Sequence, residues 1–189
     1  MNSFINRRAA LRNLVIIAGG AMILPACYRK SGKASIELNN LQITEDEESL
    51  LETLADTLIP KTDTPGAKEL KLHLFVLKMV DDCYKPEDQD QFTKGLRALP
   101  SFAKSTIGKD FVNASAKERG QLLLKIQDIK DTEEATEKGQ EAGDDKSLKR
   151  FYDITKSKTI QGYLNSKYVM TNLVKYELVP GRYNGYFPA

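Results

Sequence analysis

The chain has 189 residues, with 28 lysines and arginines, 26 aspartates and glutamates, one histidine and two cysteines. Three of the basic residues and none of the acidic ones lie in the first 26 positions, which leaves 25 basic and 26 acidic residues in the rest of the chain. This balance gives no support for nucleic-acid binding, which needs a basic face, and two cysteines cannot form a disulfide framework. The remaining length suits one domain with a hydrophobic core.

The first 26 residues have the features of a secretory signal peptide. Arg7, Arg8 and Arg12 precede an uncharged stretch from residue 14 to residue 24. That stretch is too short to cross a bilayer, because a helical span needs about 20 residues. The Arg7-Arg8 pair resembles the twin-arginine export signal, which implies that the cargo is folded before export. The alternative is an ordinary export signal.

The signal peptide ends in Leu24-Pro25-Ala26-Cys27, which resembles a lipobox. In a lipobox the cysteine thiol receives a diacylglyceryl group, and several acyl chains hold a protein firmly, since each buried methylene contributes about 0.8 kcal/mol. We predict that Cys27 is lipidated and that the exported protein is anchored on the periplasmic side of a bacterial membrane or at the cell surface. The alternative is a cysteine that follows the signal by chance.

Residues 27–43 are predicted to be a tether, because they begin with polar and basic residues and lack helical periodicity. The helical domain is expected to occupy residues 44–189. Its first helix begins at a capping box formed by Thr44 and Glu47 and ends before Pro60. The apolar face of this helix consists of Leu50, Leu51, Leu54 and Leu58.

A turn and a second helix are predicted next. The turn comprises Thr62, Asp63, Thr64, Pro65 and Gly66, with Thr64 as a helix cap and Pro65 in the first helical position. The second helix extends towards residue 84, and its apolar residues surround most of its circumference, which predicts a buried helix. Cys83 lies in this run and is predicted to be a buried thiol rather than a reactive one.

Three more helices follow in the prediction. The third covers residues 88–99 and ends at Pro100, and the fourth begins at a capping box of Ser115 and Glu118. Residues 130–146 are expected to be a solvated loop or a frayed extension, because they contain no large apolar residue. A fifth helix reaches about residue 164, with one face made of Leu148, Phe151, Tyr152 and Thr155. The predicted fold class is all-α: a single compact domain of about five helices with an irregular aromatic C-terminal tail.

No pattern of residues predicts catalysis, a bound cofactor or a metal site in this chain. His73 is the only histidine and lies on an apolar helix, without a cysteine or second histidine at metal-ligand spacing. Asp81 and Asp82, with Asp88 and Asp90, lack the spacing of a calcium loop, so a solvated acidic turn is the favoured interpretation. Motifs for nucleotides, haem c and zinc are also missing. The residues predict a binding or assembly subunit.

Two segments resemble the gluconate 2-dehydrogenase subunit 3 family: residues 54–84, which include IPKTDTPGA, and the C-terminal QGYLNSKY…KYELVPGRYNGYFPA. The resemblance implies a helical small subunit without a cofactor of its own. Its expected partner is an FAD-containing large subunit of the glucose-methanol-choline oxidoreductase type, which oxidises sugars or sugar acids. In some members a cytochrome c subunit accepts the electrons.

The leader and the resemblance together imply a subunit that escorts its partner through twin-arginine export, anchors it and stabilises it. The aromatic tail is the predicted docking element, because its prolines and glycines oppose a regular helix and tyrosine and arginine dominate interface hot spots. Its residues are Tyr176, Pro180, Gly181, Arg182, Tyr183, Tyr186 and Phe187. The alternative for the tail is packing on its own core. The alternative for the protein is a free-standing lipoprotein that binds a small ligand or another partner.

Overall fold

The computed structural model describes residues 32–129, 139–174 and 181. Residues from 33 onward belong to one compact unit. Its α-helices are α1 (Glu45–Leu58), α2 (Leu72–Cys83), α3 (Pro86–Ile107), α4 (Ala116–Gln127) and α5 (Gly139–Leu164). A 3₁₀ turn, Phe111–Asn113, precedes α4, and a π-helix, Val169–Leu173, follows α5. No strand occurs in the described ranges, so the prediction of an all-α domain is confirmed.

Both predicted capping boxes are present. The Thr44 hydroxyl accepts a hydrogen bond from the Glu47 backbone N–H at 3.2 Å, and the Thr44 N–H donates to the Glu47 carboxylate at 2.8 Å. Ser115 and Glu118 make the same reciprocal pair at the start of α4. These local bonds satisfy backbone N–H groups that a helix start would otherwise leave unpaired.

The second helix begins at Leu72, so the prediction that it starts at Pro65 is wrong. The chain first makes further turns, in which the Ala67 N–H donates to the Ile59 carbonyl at 2.8 Å and the Leu72 N–H to the Ala67 carbonyl at 2.9 Å. Lys71 then adopts a left-handed conformation, with φ 51°, which a regular helix does not contain. The tertiary bonds of the turn therefore delay the helix by almost two turns.

The predicted burial of α2 holds for only one side of the helix. Leu72, Val76, Leu77 and Val80 are buried, whereas Lys78, Asp82 and Cys83 are exposed. The prediction that Cys83 is a buried thiol is therefore wrong. The apolar run extends to Val80; of the residues that follow in the helix, Asp81 is buried, and Asp82 and Cys83 are exposed.

Helix α3 continues through Pro100 to Ile107, so the predicted end at Pro100 is also wrong. A proline inside a helix removes one backbone hydrogen bond and costs about 3 kcal/mol. Here Leu96, Leu99 and Ala103 are fully buried on both sides of the proline, and this packing keeps the helix on the core. The helix ends at Gly108, whose φ of 69° is accessible to glycine without strain.

Helix α5 packs against all four other α-helices, most extensively against α3. It begins at Gly139, so within residues 130–146, expected to be a solvated loop or a frayed extension, the part from residue 139 onward is helical. The face predicted for this helix is buried, including Leu148 and Phe151. Gly95 of α3 permits the close approach, because a Cβ atom there would lie 2.4 Å from Phe151 Cβ. None of the helices in the described residues is long and apolar enough to span a bilayer.

Candidate functional site

The turn of residues 59–67 connects α1 to the start of α2. The Thr62 N–H donates to the Thr64 carbonyl at 3.1 Å, which closes the loop at its tip. Gly66 lies against the preceding chain, and a Cβ atom on it would stand 2.6 Å from the Lys61 nitrogen and 2.9 Å from the Ile59 oxygen. Only glycine fits this position, because a Cβ atom would overlap the backbone of residues 59–61.

The side chains of the turn differ from the expected helix caps. Asp63 is exposed, and the N-cap residue of α2 is Lys71, which makes no side-chain capping bond. The Thr64 hydroxyl instead accepts a hydrogen bond from the phenol of Tyr163 at 3.1 Å. Tyr163 belongs to the last turn of α5 and packs against the small apolar cluster of Ala55, Ala67 and Leu72. The turn is therefore attached to the C-terminal end of α5, which sequence reasoning did not predict.

Exposed apolar side chains occur where α5 and the π-helix end. Ile160 is 43% exposed and Leu164 is 55% exposed, and their spacing of four residues places them on the same face of α5. Leu173 and Val174 are 52% and 48% exposed and directly precede the predicted docking tail. We refer to these four residues as the apolar end.

Most of the predicted sites lie outside the described residues. These are the export pair Arg7 and Arg8, the lipidation site Cys27, and all docking residues except Gly181. Gly181 is exposed, and no atom of the described residues lies within 4 Å of the place where its Cβ would be. The predictions for these residues stay predictions.

A buried carboxylate fixes the segment that precedes α1. Asp81, near the end of α2, is 1% exposed. Its Oδ1 accepts backbone N–H groups from Asn40 at 2.7 Å and Leu41 at 2.8 Å, and its Oδ2 accepts that of Asn39 at 2.7 Å. The side-chain amide of Asn40 also donates to the Asp81 carbonyl at 2.7 Å. We call this arrangement the Asp81 clasp.

The clasp determines the ionisation of Asp81. Burial alone would raise the pKa of this carboxyl group, because a charge is costly in an apolar environment. The three backbone N–H donors and the Lys78 ammonium group outweigh burial and hold the pKa below its ordinary value. Asp81 is therefore a buried carboxylate anion, and it is not part of the solvated acidic turn that the sequence suggested.

Three further contacts attach the same segment to the domain. Both the backbone N–H and the hydroxyl of Ser35 donate to the Glu48 carboxylate at 2.6 Å. Arg97 of α3 donates to the Gln42 carbonyl at 3.1 Å, and an isolated bridge pairs Lys33 with Thr44. The core also includes two residues of the segment, Leu41 and Ile43. Residues 33–43 thus pack on the domain, which differs from the predicted tether of residues 27–43.

An open groove of about 360 Å³ lies between this segment and the helices α1 and α2. Its lining is mainly charged: Lys33, Ser35, Glu45, Glu48, Ser49, Glu52 and His73. Burial lowers the pKa of His73, against the opposing effect of the nearby carboxylates of Glu52 and Glu48. The His73 Nε2 atom lies 3.6 Å from a Glu48 oxygen, and Nδ1 has no hydrogen-bond partner among the described residues.

This groove does not assemble a recognisable catalytic or metal site. Across the described ranges no group of three or more histidine, cysteine, aspartate or glutamate side chains could hold a metal ion. Two of the three carboxylates that line the groove bind protein groups, since Glu48 accepts from Ser35 and Glu52 pairs with Lys68 at 3.0 Å. These contacts attach the segment before α1, and Lys68 of the following turn, to α1.

Comparison with known proteins identifies the domain. No curated protein and no solved structure is detectably similar to the chain. The family described as gluconate 2-dehydrogenase subunit 3 matches residues 45–181, which is more than half of the chain and extends from the first residue of α1 beyond the π-helix. The resemblance inferred from the sequence is confirmed. The chain belongs to the gluconate 2-dehydrogenase subunit 3 family.

Proposed function

We propose that this protein is a non-catalytic small subunit of an FAD-dependent sugar or sugar-acid dehydrogenase, and that it escorts, anchors and stabilises the catalytic subunit. The observation that carries the proposal is the family match over residues 45–181, since membership implies association with the other subunits of a gluconate dehydrogenase. The proposed partner is a large subunit of the glucose-methanol-choline type, in some complexes together with a cytochrome c. FAD is assigned to that large subunit.

The apolar end is the best-supported contact surface for the large subunit. Apolar side chains that stay exposed in groups are typical of protein interaction sites. Ile160 and Leu164 stand on one face of α5, and Leu173 and Val174 lead into the aromatic tail. The tail supplies tyrosines and an arginine, the residue types that contribute most to binding at interfaces. The apolar end and the tail are proposed to bind the same partner.

The proposed export role is based on the need of a flavoprotein to bind FAD before it leaves the cytoplasm. A flavoprotein acquires FAD when it folds, and the twin-arginine route moves folded proteins. A small subunit with the Arg7-Arg8 signal could therefore export a large subunit that has no signal of its own. Replacement of both arginines with lysine is expected to leave the precursor and its partner in the cytoplasm. Normal export of that variant would assign the leader to the general secretory route.

The contact surface can be tested with a matched pair of variants. Ile160→Glu combined with Leu164→Glu introduces two charges into the apolar end, and co-purification of the flavoprotein is expected to be lost. Leu124→Glu is the control, because Leu124 is 61% exposed on α4 and lies outside the apolar end. Circular dichroism should give the same helix content for both variants. Unchanged co-purification with the double variant would contradict this surface.

A second candidate function is a free-standing lipoprotein that binds a small ligand. The groove near His73 favours it, because its volume of about 360 Å³ is within the range of small-molecule pockets. Such pockets are mainly apolar, however, whereas this groove is lined by charged and hydroxyl side chains. The subunit function therefore has the stronger support.

A further inference from the structure

We propose that the turn of residues 59–67 forms the polar edge of the surface that binds the large subunit, and that the carboxylate of Asp63 pairs there with a basic side chain of that subunit. The inference rests on the proposed function, in which the apolar end contacts the large subunit. The contact surface then includes a second element of the chain, and the group that faces this element carries a positive charge.

The turn lies beside the exposed face of α5. The Tyr163 phenol donates to the Thr64 hydroxyl at 3.1 Å, so the turn is held on the side of α5 from which Tyr163 projects. With 3.6 residues per helical turn, Ile160 projects about 60° from Tyr163 around the helix axis, and Leu164 projects about 100° from it in the same sense. Both side chains are exposed. The apolar end therefore begins next to the side of α5 that holds the turn.

Bonds within the chain hold the turn. The Ala67 N–H donates to the Ile59 carbonyl at 2.8 Å, and the Thr62 N–H donates to the Thr64 carbonyl at 3.1 Å. Gly66 lies so close to the preceding backbone that any other residue would overlap it. A contact element that is already ordered loses little conformational entropy when a partner binds, which favours affinity. The turn is therefore suited to present its exposed side chains to another protein.

The exposed charge at the tip of the turn is negative. Lys61 pairs with Glu69, and Lys68 pairs with Glu52, so these two cations are already matched within the chain. Asp63 is exposed, and no cation of the described residues pairs with it. It caps no helix either, because α2 begins after Lys71. The group on a partner that complements this tip is therefore a lysine or an arginine.

The turn and α5 together have the composition of a protein interface, in which an apolar centre is surrounded by a polar rim. Ile160 and Leu164 supply apolar area, and Asp63 supplies a charge at its edge. A charge pair at the rim mainly affects the rate of association, the orientation and the choice of partner. The occupant is assigned to the large subunit because the family match over residues 45–181 contains both the turn and α5.

Binding of charge variants to the FAD-containing large subunit, measured by biolayer interferometry, tests the proposal. Asp63→Lys is expected to raise the dissociation constant at least about tenfold, because it places two positive charges against each other. Asp63→Glu keeps the charge and should bind nearly as tightly as the natural protein. Asp46→Lys is the matched control, since it changes the net charge equally at an exposed position in the first turn of α1, at the opposite end of that helix from the turn. Its dissociation constant should be unchanged.

Salt and folding provide two further measurements on the same variants. The difference between Asp63→Lys and the natural protein should shrink as the ionic strength rises, because salt screens charges at an exposed rim. Circular dichroism should give the natural helix content for Asp63→Lys, since Asp63 makes no bond within the domain. Asp63→Asn, which removes the charge without adding another, should weaken binding in the same direction by a smaller factor.

The outcomes separate the inference from the proposed function. If Ile160→Glu with Leu164→Glu abolishes binding while Asp63→Lys binds like the natural protein, the contact surface stands and the role of the turn is overturned. Equal losses for Asp63→Lys and Asp46→Lys would assign the effect to net charge and would also overturn it. If the natural protein does not bind the large subunit, the proposed function fails together with the inference.

Discussion

Asn40 binds Asp81 twice, with its backbone N–H on the carboxylate at 2.7 Å and its side-chain amide on the Asp81 carbonyl at 2.7 Å. The two residues are 41 positions apart in the chain. Their contact joins a segment without helical periodicity to the end of α2, and it brings Leu41 and Ile43 into the core. The folded domain therefore begins near Lys33, ahead of the first helix.

The clasp should make a measurable contribution to stability. Asp81→Asn replaces one acceptor oxygen with an NH₂ group that faces backbone N–H donors, so the free energy of unfolding is expected to fall by about 2 to 4 kcal/mol. Asp82→Asn is the control, since the Asp82 side chain is 43% exposed, and its effect should stay within about 0.5 kcal/mol. Urea unfolding of both variants gives the comparison. Equal losses of unfolding free energy in the two variants would contradict a stabilising role of the hydrogen bonds to Asp81.

The turn at residues 59–67 gives a second prediction. Thr64→Ala removes the hydroxyl that accepts the Tyr163 bond, and a loss of about 1 kcal/mol is expected. Asp63→Ala should be nearly neutral, because Asp63 is exposed and caps no helix. Thermal unfolding of the two variants distinguishes them. A larger loss for Asp63→Ala would restore the capping role that the sequence suggested.

Two glycines provide a matched test of helix packing. A Cβ atom on Gly95 would lie 2.2 Å from the Ser147 carbonyl oxygen, so Gly95→Ala must push α3 and α5 apart. We expect a loss of about 3 kcal/mol or more, at the upper end of the cost of overpacking. Gly120 in α4 has open space around it, and Gly120→Ala should stabilise the protein by about 0.5 to 1 kcal/mol. Urea unfolding should show a lower free energy of unfolding for Gly95→Ala and a higher one for Gly120→Ala.

The capping box of α4 should give stability a specific pH dependence. The Lys109 ammonium group, at 2.7 Å, and the donors of Ser115 lower the pKa of Glu118 to about 2. Since the folded pKa is below the unfolded value of about 4.3, the stabilisation is complete above that value. It is lost as the pH falls towards the folded pKa.

Unfolding measured across this acid range, for the natural protein and for Glu118→Gln, checks the prediction. The difference in stability between the two should shrink as the pH falls below about 4.3. Lys109→Gln should weaken the pH dependence, because it removes the largest cause of the shift. A difference that stays constant with pH would exclude ionisation of Glu118 as its origin.

The features that the sequence predicted well are those that depend on neighbouring residues. Thr44 with Glu47, and Ser115 with Glu118, form their bonds within one helical turn, so spacing alone identifies them. The buried face of α5 also follows from helical periodicity. Such patterns were sufficient for the fold class.

The predictions that were wrong concern contacts between distant residues. Thr64 binds a tyrosine 99 positions away, and Asp81 binds a segment about 40 positions away, so neither partner is visible in local spacing. Pro100 normally ends a helix, but tertiary packing of Leu99 and Ala103 on the core outweighs the lost hydrogen bond. The proposed contact surface was incomplete for the same reason, because the exposure of Ile160 and Leu164 depends on which helices cover α5.

Purification of the natural protein from solubilised membranes tests the central claim most directly. The account predicts that a large subunit with bound flavin co-purifies at a constant ratio, and that the complex oxidises a sugar or sugar acid with an artificial electron acceptor. The flavin absorbance spectrum and the mass of the co-purified chain identify the partner. A small subunit that is anchored and folded but has no flavoprotein bound to it, in cells that produce the large subunit, would contradict the account.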